Sequence, residues 1–304
     1  VCGEGRIDLW PGQAVVGGGP ANTAKALARL GHDVEFIDGI SRDGYGKSAR
    51  AELLRDGVKL TYCLDSDKPT CIARVTLDVS GGASYDFTID GTSTFDFRES
   101  WLPDPARYKP SLLHIGTLAT IVEPGSLALY QWAMKTAEFA PIGLDQNIRQ
   151  SVLSSRDRYE EAVEKWVGIS TVVKVRDEDL DWLYPKIAPL EVAERWVDAG
   201  VAIVVITRGA AGLAAITADE VQEVAGVDVH VVDTVGAGDT VGAIVAAAMV
   251  DEGVVNLHGK RLQEMLNCAA AAAAITCSHA GALPPTKSEI QAALNERETN
   301  DGIY

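Results

Sequence analysis

The chain has 304 residues, 47% of them hydrophobic, with 27 basic against 43 acidic side chains and a formal net charge of −16. That length buries the core of one large α/β domain with a small appendage, or of two domains. The acidic balance argues against nucleic acid, whose binding rests on neutralised backbone phosphates, and the longest apolar tract, residues 269–275, is far too short to span a bilayer. The chain opens on an extended run that carries Asp8, followed by Gly17-Gly18-Gly19-Pro20-Ala21-Asn22 and a helix predicted over 23–30, stopped at Gly31. Glycines there let a ligand approach the backbone, and the apolar stripe of Ala24, Leu27 and Ala28 leaves Asn22 at the exposed start of the helix. Its amide can donate to and accept from a polyol; capping the helix is its other use.

An extended run at 34–37 and a helix at 49–55 come next. The intervening Gly46-Lys47-Ser48 mimics the end of a phosphate-binding loop, but Ser41 stands where the first glycine belongs and no strand leads into it, so it reads as a surface turn. From Leu60 to Asp90 the period becomes two: Val75, Leu77 and Val79, then Tyr85, Phe87 and Ile89, alternate around Ser80-Gly81-Gly82, which predicts a half-covered antiparallel hairpin. Strands are then expected at 112–115, 142–145, 171–175 and 201–207, with helices at 127–140, 157–167 and 190–199 between them, a parallel sheet sandwiched by helices.

Near the C-terminal end, 229–232 reads as a strand feeding Asp233-Thr234-Val235-Gly236-Ala237-Gly238-Asp239, and Val241, Ile244, Val245, Ala248 and Met249 recur behind it at helical spacing. Gly236, Ala237 and Gly238 therefore sit at a helix N-terminus, where free N–H groups and the helix dipole attract an anion. Asp239 would repel phosphate, yet a kinase needs a carboxylate to receive the proton of an attacking hydroxyl. A dinucleotide fingerprint is discarded because Val241 stands where its third small residue should be. Cys2, Cys63, Cys71, Cys268 and Cys277 form no metal or redox spacing and read as reduced thiols of a cytoplasmic protein. Thr286 to Glu289 is a capping box for the last helix.

The two glycine clusters together resemble the paired signatures of the ribokinase-like sugar kinases, the PfkB family. The likeness extends through Gly3-Glu4, Asp43-Gly44-Tyr45-Gly46, Asp145-Gln146-Asn147-Ile148-Arg149, Val173-Lys174-Val175 and Thr207-Arg208-Gly209-Ala210-Ala211-Gly212. It implies a three-layer sandwich around a mostly parallel sheet, one kinase domain over 1–304, with 9–16 and 60–90 as segments of a small β lid. It further implies ATP-dependent phosphorylation of a sugar primary hydroxyl, most like fructokinase, with 2-keto-3-deoxygluconate kinase or ribokinase as alternatives. Asp239 would be the catalytic base and Gly236 to Gly238 the anion hole. Asp8, Gly17, Gly18, Asn22 and Arg149 would bind the sugar, and Lys174, Thr207, Gly209, Gly212 and Asn267 the nucleotide. Magnesium would bridge the phosphates, with Asp179 helping to organise it, Asp233 would border a potassium loop, and two copies would pair through the lid. Two departures stand out. Only eight residues separate Asp8 from Gly17, which, with a start at Val1, suggests that part of a lid loop is missing; and Arg176-Asp177-Glu178-Asp179 replaces the family's Asn-x-x-Glu. The second keeps open a catalytically weak sugar sensor.

Overall fold

The computed structural model describes residues 1–77 and 83–301. In chain order the elements are β1 Arg6–Trp10, β2 Gln13–Gly17, α1 Gly19–Arg29, β3 Gly39–Ser41, α2 Gly44–Arg55, β4 Leu64–Ser66, β5 Ile72–Leu77, β6 Ala83–Thr88, α3 Pro105–Tyr108 and β7 Leu113–Gly116. There follow α4 Gly125–Ala137, β8 Ile142–Asp145, α5 Arg156–Val167, β9 Val172–Arg176, α6 Asp177–Leu183, α7 Pro189–Asp198, β10 Ile203–Thr207, β11 Leu213–Ile216, β12 Val221–Val224, α8 Ala237–Asp251, α9 Gly259–Cys277 and α10 Lys287–Asp301.

The main sheet has the order β12-β11-β10-β9-β8-β7, with β7 to β10 parallel and β11 and β12 antiparallel at one side. Its strands are apolar on both faces because both are covered. Val173, Val175, Val204 and Ile206 join the core that holds Trp132, Trp166 and Trp196, whereas Val172, Ile203 and Val205 join the core of Val245, Met249 and Leu266. Two helical layers thus sandwich the sheet. The parallel strands all end on one side, where Gly116, Asp145, Lys174 and Thr207 gather, the edge at which open α/β sheets bind ligands.

A second sheet, β2-β1-β5-β6, stands apart from the first. It is mixed, because β1 runs parallel to β5 while the β1–β2 and β5–β6 pairs are antiparallel. Pro11 and Gly12 close β1 onto β2, so a tight hairpin spans the short interval from Asp8 to Gly17. Ala73, Val75, Tyr85 and Phe87 share the covered face, and Arg74, Thr76, Asp86 and Thr88 are exposed on the other. The expected turn at Ser80-Gly81-Gly82, and Val79 with it, lie outside the described residues. Residues 64–66 pair with β3 in a small parallel sheet of their own.

Several expectations are corrected. The run 229–232 is not a strand: Val231 and Val232 are exposed, and the Val232 and Asp233 amides donate to the Cys277 carbonyl instead of to a neighbouring strand. β-branched residues gave the pattern, but the sheet already ends at β12. Residues 34–37 are extended yet hold only single bridges at Glu35 and Ile37. Gly46-Lys47-Ser48 is not a turn but the start of α2, capped by Asp43, whose Oδ1 accepts from the Gly46 amide at 2.8 Å. Finally, α1 begins at Gly19, with Pro20 in its first turn, so Asn22 lies inside the helix and is only 6% exposed.

Candidate active site

The N-terminus of α8 is built by backbone geometry. Gly236, at φ +82°, caps the helix, and a Cβ there would come within 2.6 Å of Ala282. Asp233 secures the approach: its Oδ1 accepts from the Val235 amide at 3.0 Å and its Oδ2 from the Gly281 amide at 2.9 Å. Asp239 makes no capping bond in the helix. Its Oδ2 accepts instead from Asn22 Nδ2 at 2.8 Å, and its carbonyl from Thr23 Oγ1 at 3.3 Å, so α1 and α8 hold one carboxylate between them. Asn22 Oδ1 is buried without a partner, as a ligand-binding amide would be.

The glycine turn joins this carboxylate to the lid. A Cβ at Gly17 would lie 2.5 Å from Asp8 Oδ2, one at Gly18, at φ +111°, 2.3 Å from the Glu4 carbonyl, and one at Gly19 3.2 Å from Asp239 Oδ1. Gly17 and Gly18 thus leave no room for a side chain, whereas at Gly19 a Cβ would be a tight fit against Asp239. Between the lid hairpin and the loop entering α8 opens a cavity of about 430 Å³, lined by Asp8, Trp10, Gln13, Gly17, Asp233, Val235 and Gly281 among others.

Beneath the glycine turn that opens α8 is a buried ion pair. Lys174 Nζ lies 2.9 Å from Asp145 Oδ1, and 3.0 Å from where a Cβ on Gly238 would stand. Burial pushes the Asp145 carboxyl up to about 6, against the pull of Lys174 and with a smaller push from Asp239. Lys174 therefore supports the turn from below. Gly238→Val drives a branched side chain against this pinned ammonium, and kcat should fall about 100- to 1,000-fold, the worth of one oxyanion donor. Thermal unfolding should shift by only a few degrees; a stability loss as severe as the activity loss would make Gly238 a structural turn.

The lid's covered face carries cations. Arg6 clasps Asp8, with Nε to Oδ1 at 2.7 Å and the second nitrogen to Oδ2 at 3.4 Å, and lies 5.5 Å from the Phe87 ring. Arg149 lies 5.9 Å from the ring of Tyr85, which stacks on Phe87, and forms no ion pair among the described residues. Burial, then repulsion from Arg6 and Arg176, lowers its proton affinity. Gln146 is buried with both amide atoms unpartnered, and Asn147 Oδ1 is likewise unpartnered. Arg6 and Thr117 went unnoticed in the sequence, and Gln146 and Asn147 were part of the recognised Asp145-to-Arg149 segment without a role of their own. Gln146 and Asn147 had a usable signal, a polar run at the carboxyl end of an apolar strand; Thr117 had none.

The remaining candidates are more dispersed. Thr207 ends β10; Gly209, at φ +52°, and Gly212, at φ +97°, bound the next turn, and a Cβ on Gly212 would meet the Val224 carbonyl at 2.0 Å. Asn267 is half-buried on α9, which packs on β11 and β12. Asp179 is clasped by Arg176, at 2.8 Å to Nε and 2.5 Å to the second nitrogen. Among the described residues no three acidic, histidine or cysteine side chains converge as a metal cage, and no helix is long and apolar enough to cross a membrane.

The model for pfkB family carbohydrate kinases matches residues 12–289. A fructokinase of Rhizobium leguminosarum bv. trifolii is 34% identical over 257 residues, 82% of this chain and 78% of that protein. Among solved structures, fructokinase with bound ATP from Xylella fastidiosa superposes with a TM-score of 0.88 at 23% identity, covering 98% of both chains. Fructokinase from Vibrio cholerae O395 in its fructose-, ADP- and calcium-bound form gives 0.85 at 24% identity, over 96% of this chain and 97% of that one. These likenesses show a ribokinase-like fold. The chain belongs to the pfkB family of carbohydrate kinases.

Proposed function

We propose that this kinase transfers the γ-phosphoryl group of ATP to the primary hydroxyl of fructose, working as one domain over 1–304 with β1, β2, β5 and β6 as its lid. The observation that carries the reading is the Asp239 carboxylate, held by Asn22 at the α8 N-terminus, where the Ala237 amide turns back to the Thr234 carbonyl at 3.3 Å and the Gly236 and Gly238 amides have no partner among the described residues. The hydroxyl's proton passes to Asp239, its oxygen bonds to the γ-phosphorus, and the bond to the bridging oxygen breaks as ADP leaves. The N–H groups of Gly236 to Gly238 stabilise the charge that develops, with Lys174 reinforcing them from below. Asp8, Gly17, Gly18 and Asn22 hold the sugar. Thr207, Gly209, Gly212 and Asn267 border the nucleotide.

Magnesium, when bound, would neutralise phosphate charge. Asp145 and Asp179 are each already paired with a cation, which fits an ion carried mainly by phosphate and water, with Asp179 as an outer partner. Asp233, fixed by two amides, would border a potassium site. The edges of β2 and β6 have no further strand among the described residues, which favours a homodimer through the lid. Five free thiols fit a cytoplasmic setting.

One observation favours a second substrate. Arg149, a cation without an ion partner among the described residues on the lid's covered face, suits the carboxylate of 2-keto-3-deoxygluconate. Coupled ADP release over fructose, ribose and that acid decides between them. Fructose should give the highest kcat/KM; turnover of the acid alone sinks the fructose reading and leaves the kinase. Sugar binding by calorimetry without any ADP release makes the chain a sensor.

A further inference from the structure

Thr117, immediately after β7, has a φ of +53°, a left-handed value that a β-branched residue adopts only where its surroundings impose it. Here they do. Its carbonyl accepts from Thr120 Oγ1 at 2.7 Å, and the amides of Leu118 and Ala119 donate to the two carboxylate oxygens of Glu4, at 3.4 and 3.2 Å. Glu4 is wholly buried, which raises its proton affinity, and Arg6 lies 4.0 Å away. A buried carboxyl group is thus committed to one strained turn.

What the turn accomplishes is the aim of a hydroxyl. A Cβ on Gly19 would stand 3.0 Å from Thr117 Oγ1 and 3.2 Å from both Thr117 Cγ2 and Asp239 Oδ1, so the branched end of Thr117 and the Asp239 carboxylate meet over that glycine, with both oxygens at the notch between them. Asn22 already occupies Asp239 Oδ2, which leaves Oδ1 facing the notch. Thr117 is 4% exposed, and its hydroxyl, although near enough to Glu4 to favour the carboxylate, makes no well-formed hydrogen bond among the described residues. A polar atom buried in this way is costly unless a ligand completes it.

We propose that Thr117 is a catalytic residue that grips the acceptor hydroxyl, and that Glu4 is the positioning residue that keeps its turn in place. The assignment rests on the kinase reading above. The acceptor's proton goes to Asp239 Oδ1, one lone pair of its oxygen forms the new bond to phosphorus while the bridging P–O bond breaks toward ADP, and the Thr117 hydroxyl donates to the second lone pair. The direction of attack is thereby fixed.

The test is a set of single variants assayed on whichever sugar the parent phosphorylates. Thr117→Val keeps the shape and deletes the hydroxyl; kcat should fall about 10- to 100-fold while the KM for ATP stays within about twofold. Thr117→Ser should recover most of the rate, and Glu4→Gln, which loses one of two paired acceptors, should lower kcat in the same way. Thermal unfolding of Thr117→Val should match the parent. Parental kcat in Thr117→Val, or a serine variant as impaired as the valine one, overturns the assignment. Should the valine variant not fold, Thr117→Ala gives the same readings. A parent with no turnover on any sugar removes the kinase reading and this inference with it, a result seen before any variant is made.

Discussion

Asp239→Asn should lower kcat by about a hundredfold to ten-thousandfold while leaving the affinity for ATP nearly unchanged. The carboxamide keeps an oxygen to accept from Asn22 Nδ2, so α1 and α8 remain joined and the variant should unfold within a few degrees of the parent. What is lost is the acceptor for the sugar's proton. An aspartate this early in a helix is more often a cap, but Gly236 holds that position and the Asp239 carboxylate turns instead toward α1 and the notch above Gly19. The decisive measurement is single-turnover phosphoryl transfer, which isolates chemistry from product release. Near-normal transfer by the asparagine variant returns Asp239 to a structural role.

Most of the sandwich was legible in the chain because parallel strands covered on both faces read as short β-branched runs: the predicted 142–145 is β8 itself, 171–175 is β9 shifted by one residue, and 201–207 is β10 begun two residues early. Pattern failed where β-branched residues lie outside a ladder, as at 229–232, since the valines there are held by bonds to Cys277 that no periodicity announces. The glycine turns were legible for a similar reason, because close approach leaves no alternative to glycine. The groups that complete the site were not. Arg6 reads as one surface cation among many until β1 places it against Asp8, and the left-handed backbone of Thr117 depends on Glu4, more than a hundred residues away in the chain. Lys174 looked like a phosphate ligand; its burial against Asp145 places its charge under the turn.

The substrate preference should turn on Asp8. Because a polar site left with unpaired groups discriminates far more than an apolar one, Asp8→Ala should raise the KM for fructose by about 100-fold or more, with the KM for ATP moving less than about threefold. The same change exposes a second effect. Asp8 neutralises Arg6 through two contacts, and without it Arg6 keeps only the longer 4.0 Å contact with Glu4 and joins Arg149 as a poorly compensated cation beside the stacked Tyr85 and Phe87. Two guanidinium groups on one face suit a carboxylate, so the ratio of kcat/KM for 2-keto-3-deoxygluconate over fructose should rise at least about tenfold, the equivalent of about 1.4 kcal/mol. Asp8→Asn separates the two effects: it keeps the shape and one acceptor for Arg6, and should weaken fructose binding less while also shifting preference toward the acid. If Asp8→Ala raises both sugar constants equally and leaves the ratio untouched, Asp8 holds the lid together without reading the sugar, and the choice of substrate lies with Asn22, Gln146 and Arg149.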